Sequence, residues 1–526
     1  MKFFVWNKRI GAILIAILVL AGILRFYNLG EKSFSADEFL GVNASYGYKQ
    51  LGEWRRWDFN LEKPMEDSAY FKTFFDFDFW HDGETTYTRA WIYNWQIAQS
   101  LKFLPDNETW SYRVVGVIWG IFSVLLIYWI SFRFTGNRII GLLAALLLTL
   151  SIDGIEFSRR VRMYAMFMPV FLIFAWVAFC FFESKIKSRW IGLNKFNKKL
   201  NLNFIFLIPV IFLGVLSMHL HLLAANFVFI ALVYFIIMGI IEYIRTKKIT
   251  NHYIVYSLGM VILGVIMNLK SNALLSSMGW VNHFSYLDKT FLDYSNGLTP
   301  LILIAIGGYY LIKNNKQREG VFLLTSYLII LLGAIFLWDR NSGEQYLFFA
   351  KSFQIILIAS GIWAIANFFK ENLKKYNQKV YWATMLFLLL AIINWGYFLA
   401  PENAYKQTSQ SDNPNYKNVF SFVLSKKGTN DILITRNFRN FYWQGAQMSV
   451  ISLGGERAEG DNKKITLNRL IEITTVNPSG WIIYSDNDKA FFSKDALTYI
   501  ENNFKKIDNL KVRGPINVYY WNATIK

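Results

Sequence analysis

Eleven apolar segments recur along this chain, and they limit it to a membrane-embedded helical architecture. They lie near residues 7–26, 113–132, 139–152, 163–182, 203–219, 222–241, 253–269, 298–312, 320–338, 347–368 and 380–399. An apolar helix of about 20 residues matches the hydrocarbon thickness of a bilayer. Composition agrees: 54% hydrophobic and 17% charged residues leave too little polar surface for a soluble chain of 526 residues.

The formal charge of +19 invites a nucleic-acid reading, which the distribution of that charge excludes. Lys and Arg fall mainly in short runs between apolar segments, where the positive-inside rule puts them. With Lys2, Lys8 and Arg9 in the cytoplasm, every second connection is short and basic, for example Lys313, Lys316 and Arg318. The first segment lacks a small-residue cleavage site and is expected to stay as an uncleaved helix. The single cysteine, Cys180, lies within an apolar run and has no intrachain partner.

Three segments then face outward. The loop 27–112 is rich in Trp, Tyr, Phe, Asp and Arg, which predicts helices lying in the membrane interface. A second loop spans about 270–297. The tail 401–526 has the composition of a soluble domain, with strands expected at 431–435, 481–485 and 517–521 and helices near 416–427, 464–475 and 493–503. The domain expectation is therefore a transmembrane body over 1–400 and a small extracytoplasmic α/β domain over 401–526.

Asp37-Glu38 follows the first apolar segment by about ten residues. Two adjacent carboxylates just outside a membrane helix stay wet, pair with a cation, or do chemistry. A carboxylate placed there can take the proton of an attacking hydroxyl. The plainer alternative is an exposed loop pair, or a partner for Lys32 or a first-loop arginine.

A second cluster lies between the third and fourth segments, Ser151-Ile-Asp153-Gly-Ile-Glu156-Phe-Ser-Arg159-Arg160-Val-Arg162-Met-Tyr164. Three arginines on an outer turn run against the positive-inside rule. An anionic lipid phosphate is one reason for them, because Arg matches phosphate oxygens bidentately. Headgroup anchoring, or pairing with Asp153 and Glu156, is the other. Arg340, at the outer turn before the tenth segment, and Lys351, near that segment's start, are candidates for a further cation at the same phosphate, with plain headgroup contact as the alternative. His219 and His221 lie two residues apart and cannot share a helix face. No Cys or carboxylate beside them completes a ligand set, so no metal site is expected.

Together these residues resemble the GT-C membrane glycosyltransferases of the protein O-mannosyltransferase and aminoarabinose transferase group. The resemblance rests on Asp37-Glu38, Tyr112-Arg113 leading into the second helix, Glu156 through Tyr164, His219, and the soluble tail. It covers roughly the first 225 residues, and the remainder by topology. It implies an inverting transferase that takes a sugar from a polyprenyl-phosphate donor and passes it to a protein, lipid or glycan hydroxyl, without a metal cofactor. Asp37 would be the base, with Glu38 and Asp153 as further acidic site residues. Arg162 would bind the lipid phosphate, with Arg159, Arg160 and Tyr164 beside it. Arg113, Glu156 and His219 would lie near the sugar or acceptor. The oligosaccharyltransferase branch of the architecture carries a Trp-Trp-Asp motif that this tail lacks. A transporter for lipid-linked sugars is the competing class, since transporters also bury charged groups; an inactive assembly subunit is a third.

Overall fold

The computed structural model describes residues 8–59, 61–64, 90–186, 191–248, 251–271, 279–339, 343–372, 377–406, 416–445, 448–453, 464–508 and 516–522. The helices begin with α1 (Lys8–Phe26), α2 (Glu38–Leu51), α3 (Trp91–Ser100), α4 (Thr109–Thr135), α5 (Arg138–Leu150), α6 (Ile152–Ser158) and α7 (Tyr164–Glu183). They continue with α8 (Ile191–Leu200), α9 (Leu207–Leu220), α10 (Phe227–Thr246), α11 (Asn251–Ser271), α12 (Ser285–Thr290), α13 (Leu298–Lys313) and α14 (Gln317–Phe336). Then come α15 (Lys351–Asn372), α16 (Asn377–Ile392), α17 (Trp395–Leu399), α18 (Lys417–Lys426), α19 (Phe438–Trp443), α20 (Leu467–Val476) and α21 (Lys494–Asn503).

Every one of the eleven apolar segments is helical. Among the described residues, seven helices are long and apolar enough to cross a bilayer, two bent helix pairs raise the number to nine if each is one span, and α13 and α16 are apolar but shorter. One bent pair is α5 with α6, at 61°. Its cause is local. Ser151 adopts an extended backbone that stops α5, and its Oγ accepts the Gly154 N–H at 2.9 Å to start α6. Residues 152–158, expected within an outer turn, are thus a short helix.

The chain forms two compact units. The first comprises Met1–Phe26, Gly116–Arg159 and Met163–Phe398, and it is helical. Its centre is α15, buried without a break from Lys351 to Ile362. Two glycines let α15 meet α13 backbone to backbone: a Cβ on Gly361 would collide with the Leu303 carbonyl, and one on Gly307 with that of Leu357. Small residues at such a crossing are the usual means of close helix packing in lipid.

The second unit comprises Tyr27–Val115, Arg160–Arg162 and Leu399–Lys526. A short antiparallel pair, β1 (Trp57–Asp58) and β2 (Lys63–Pro64), belongs to it. Its main sheet has the order β4-β3-β5-β7-β6, from β3 (Ile432–Thr435), β4 (Ser449–Ser452), β5 (Ser479–Ser485), β6 (Lys505–Lys506) and β7 (Ile516–Asn522). β4, β3 and β5 are parallel, while β7 runs antiparallel to β5 and to β6. Leu433, Trp481, Ile483 and Val518 face one core with α18 and α19; Ile432, Ile434, Ile482 and Tyr484 face the other with α20 and α21. Helices on both faces of a mixed sheet make this the expected α/β fold. The expected strands are β3, β5 and β7, and the expected helices are α18, α20 and α21. β4 and α19 are additions that the sequence pattern did not announce.

Candidate active site

The two adjacent carboxylates have opposite environments. Asp37 is exposed, whereas Glu38, in the first turn of α2, is 2% exposed. Arg113 meets both Glu38 oxygens, Nε to Oε1 at 3.0 Å and Nη2 to Oε2 at 3.2 Å. The backbone N–H groups of Ser35 and Val161 donate to the same carboxylate, each at 2.9 Å. Burial by itself would push the Glu38 carboxyl up. The Arg113 charge and these hydrogen bonds outweigh burial and hold it below the usual carboxylate range.

Arg113 also shapes the loop that carries Asp37. Its remaining N–H groups donate to the carbonyls of Leu29, Lys32 and Ser33 at 2.8 to 3.1 Å. All five guanidinium donors are thereby used, which is the condition for burying an arginine. The next residue, Phe34, is 1% exposed. Its ring makes edge contacts with Phe39, Tyr112 and Trp443, and the Arg113 guanidinium lies 5.2 Å from its centroid.

Two further cations address Asp37. Arg162, half-buried, donates from Nη1 to the Asp37 carbonyl at 3.1 Å. Arg439, in α19, acts on Asp37 through its charge; burial pushes that guanidinium down to about 10, with Asp37 pulling the other way. Arg160 is exposed, and its carbonyl accepts from the Tyr93 hydroxyl at 3.4 Å. The arrangement offers one solvated carboxylate with fixed backbone and guanidinium groups close by.

The other expected residues lie in the first unit. Lys351, expected beside a lipid phosphate, has its ammonium against Asp153 and, at 2.9 Å, against Asp293. Asp293 accepts from the Ser151 hydroxyl at 2.8 Å and from the Asp153 N–H at 3.1 Å, so it also caps α6. All three charged groups are at most 5% exposed. Arg159 is buried and donates to the Arg25 carbonyl at 2.9 Å. Glu156 accepts from the Tyr397 hydroxyl. The buried Tyr164 ring lies 5.5 Å from that of His221, while His219 is exposed at the end of α9. Arg340 lies outside the described residues. Among those described, no three His, Cys, Asp or Glu side chains gather as a metal-ligand set.

Sequence reasoning passed over Asp293, Arg439 and Asn440. A lone acid in a loop and an Arg-Asn pair between aromatics carry no local signature.

In fold the chain is similar to ArnT from Cupriavidus metallidurans, solved bound to undecaprenyl phosphate. The TM-score is 0.55 at 9% sequence identity, and the match covers 98% of each chain. It is also similar to AglB, the oligosaccharyltransferase of the archaeon Archaeoglobus fulgidus, solved with an inhibitory peptide and a dolichol-phosphate. There the TM-score is 0.55 at 10% identity, over 98% of this chain and 75% of that one. An oligosaccharyltransferase of Archaeoglobus fulgidus in its apo form gives a TM-score of 0.57 at 9% identity, over 91% of this chain and 69% of that one. No family model matches the sequence. No curated protein matches it either. The chain is a multi-pass membrane protein with the fold of these ArnT and AglB structures.

Proposed function

We propose that this chain is a glycosyltransferase that moves a sugar from a polyprenyl-phosphate donor to a hydroxyl of a protein, lipid or glycan acceptor on the extracytoplasmic face. The observation that carries the reading is the division of labour at Asp37-Glu38. Glu38 is committed to Arg113 and two backbone N–H groups, which leaves Asp37 as the solvated carboxylate. The polyprenyl phosphates held by two proteins of the same fold support a lipid-linked donor.

In this mechanism the acceptor oxygen attacks the anomeric carbon while Asp37 takes its proton. The bond from that carbon to the phosphate oxygen breaks, and polyprenyl phosphate departs with the electron pair. Arg162 neutralises the developing charge, with Arg160 as a further cation. One displacement inverts the anomeric centre. Guanidinium groups replace a metal in this scheme. Chelation that abolishes transfer, with recovery on adding a divalent ion, would overturn that clause.

The test is transfer from a panel of radiolabelled polyprenyl-phosphate sugars, using membranes that hold the wild type or Asp37→Asn. Transfer by the wild type that falls about 10²- to 10⁴-fold in the variant is the expected result. Equal transfer by both removes Asp37 as base. Lipid binding without transfer from any donor favours a transporter.

A further inference from the structure

Residues 27–37 approach Asp37 without regular helix or strand. A general base must be held within about 0.5 Å of its working position, so this loop needs an outside constraint. Arg113 supplies one through the carbonyls of Leu29, Lys32 and Ser33. A second comes from α19 of the tail, in the same compact unit.

Asn440 holds the Phe34 backbone on both sides of its Cα through both its polar groups. Its Nδ2 donates to the Phe34 carbonyl at 2.9 Å, and its Oδ1 accepts the Phe34 N–H at 3.2 Å. Asn437 Oδ1 accepts from the same Nδ2 and fixes which way the amide points. The Tyr416 N–H donates to Ser33 Oγ at 3.1 Å, and Trp443 packs on the Phe34 ring at 5.0 Å. Asn440 is 2% exposed, so these bonds are shielded from water.

The place in the sheet is also informative. Asn440 lies in α19, the first helix after β3, and Asp488, just beyond β5, accepts from Tyr416 and Arg436. The chain leaves β3 to one side for β4 and returns on the other for β5. The carboxyl ends of β3 and β5 are therefore the switch point, where open α/β sheets receive a ligand. Near this end, α19 and the N-terminus of α18 bind Ser33 and Phe34 of the chain itself.

From this geometry we infer that Asn440 is a positioning residue for Asp37, so that the tail is a working part of the site; the inference rests on Asp37 being the base. Without Asn440 the carboxylate remains but wanders from the acceptor proton. Donor affinity, which depends on the Arg162 guanidinium rather than on the Asp37 carboxylate, changes little.

The test uses the full-length protein in nanodiscs, as wild type, Asn440→Ala and Thr466→Ala. The last removes the N-cap of α20 and serves as a tail variant of reduced stability remote from Phe34. Amide exchange over residues 33–38 and transfer kinetics are read for each. In Asn440→Ala the Phe34 amide is expected to lose protection and kcat to fall about 10²-fold, with donor KM changed less than about threefold. Thr466→Ala is expected to move neither exchange at 33–38 nor kcat. Unchanged kcat in Asn440→Ala, or equal losses in both variants, overturns the inference. Should the wild type transfer no sugar from any donor, the transferase reading fails and the catalytic half of the inference fails with it. Exchange then still decides the clamp: unchanged protection of Phe34 refutes it, and lost protection upholds it.

Discussion

Arg113 closes on Glu38 across 75 residues of sequence, and neither side chain is more than 4% exposed. Two buried ions in this geometry are stable only as a pair. Glu38→Gln should therefore lower folding stability by about 3–5 kcal/mol, because it leaves the Arg113 charge buried without its counterion. Thermal unfolding in detergent measures it. A melting temperature equal to that of the wild type would show that the charge of Glu38 is dispensable.

The same pair predicts a pH dependence. The folded state holds the Glu38 carboxyl below its ordinary value of 4.5, so as pH falls the unfolded chain takes up that proton first. The stabilisation from Glu38 is whole above the ordinary value and is lost as pH falls through the lower, folded one. Wild type should lose melting temperature on acidification more steeply than Glu38→Gln, in which this titration is absent. Parallel slopes would refute the assignment.

Arg162 gives a prediction about the donor. Its guanidinium is tied to the Asp37 carbonyl, and lysine cannot hold that carbonyl and a phosphate in one plane. Arg162→Lys should raise donor KM on the order of tenfold, the worth of one charge-assisted hydrogen bond. Its melting temperature should stay near that of the wild type. An unchanged KM would place the phosphate elsewhere.

The buried Asp153–Lys351–Asp293 cluster sets one ammonium against two carboxylates. Lys351→Ala leaves like charges facing each other and should cost about 3–5 kcal/mol. Asp293→Asn leaves a balanced Asp153–Lys351 pair and keeps an oxygen for Ser151 or the Asp153 N–H, so it should cost much less. Unfolding curves of the two variants order them. The reverse order would mean that capping α6, rather than charge balance, holds the cluster.

The fold was legible wherever burial imposes a period on the sequence. The apolar segments declare their helices by length, and β3, β5 and β7 declare themselves by short runs rich in Ile, Trp, Tyr and Val. β4 does not, because Ser449 is exposed and the other three positions are only half-buried. The candidate site shows in the sequence only as unusual charge. Asp37-Glu38 and the arginines from Arg159 to Arg162 stand out as charge where lipid is near. Their separate duties do not, since Glu38 and Asp37 differ only in which far-off groups reach them. Lys351 shows the same limit: its partners are 198 and 58 positions away, and no local pattern joins lone charges over such distances. Asn440 is silent for the same reason, its partner being a backbone peptide that any residue provides.

The bonds between Phe34 and Asn440 span 406 residues, and that interval is also a time. At about 5–20 residues per second, the ribosome needs roughly 20–80 s after making the loop before it makes the residue that clamps it. Until then the nascent protein holds the Asp37 loop without its second anchor. Protease sensitivity of residues 27–38 in chains stalled at increasing lengths should drop once Asn440 has emerged. On this account the loop before Asp37 gains its second anchor only late in synthesis, so a chain that stops short of Asn440 would hold that loop by Arg113 alone.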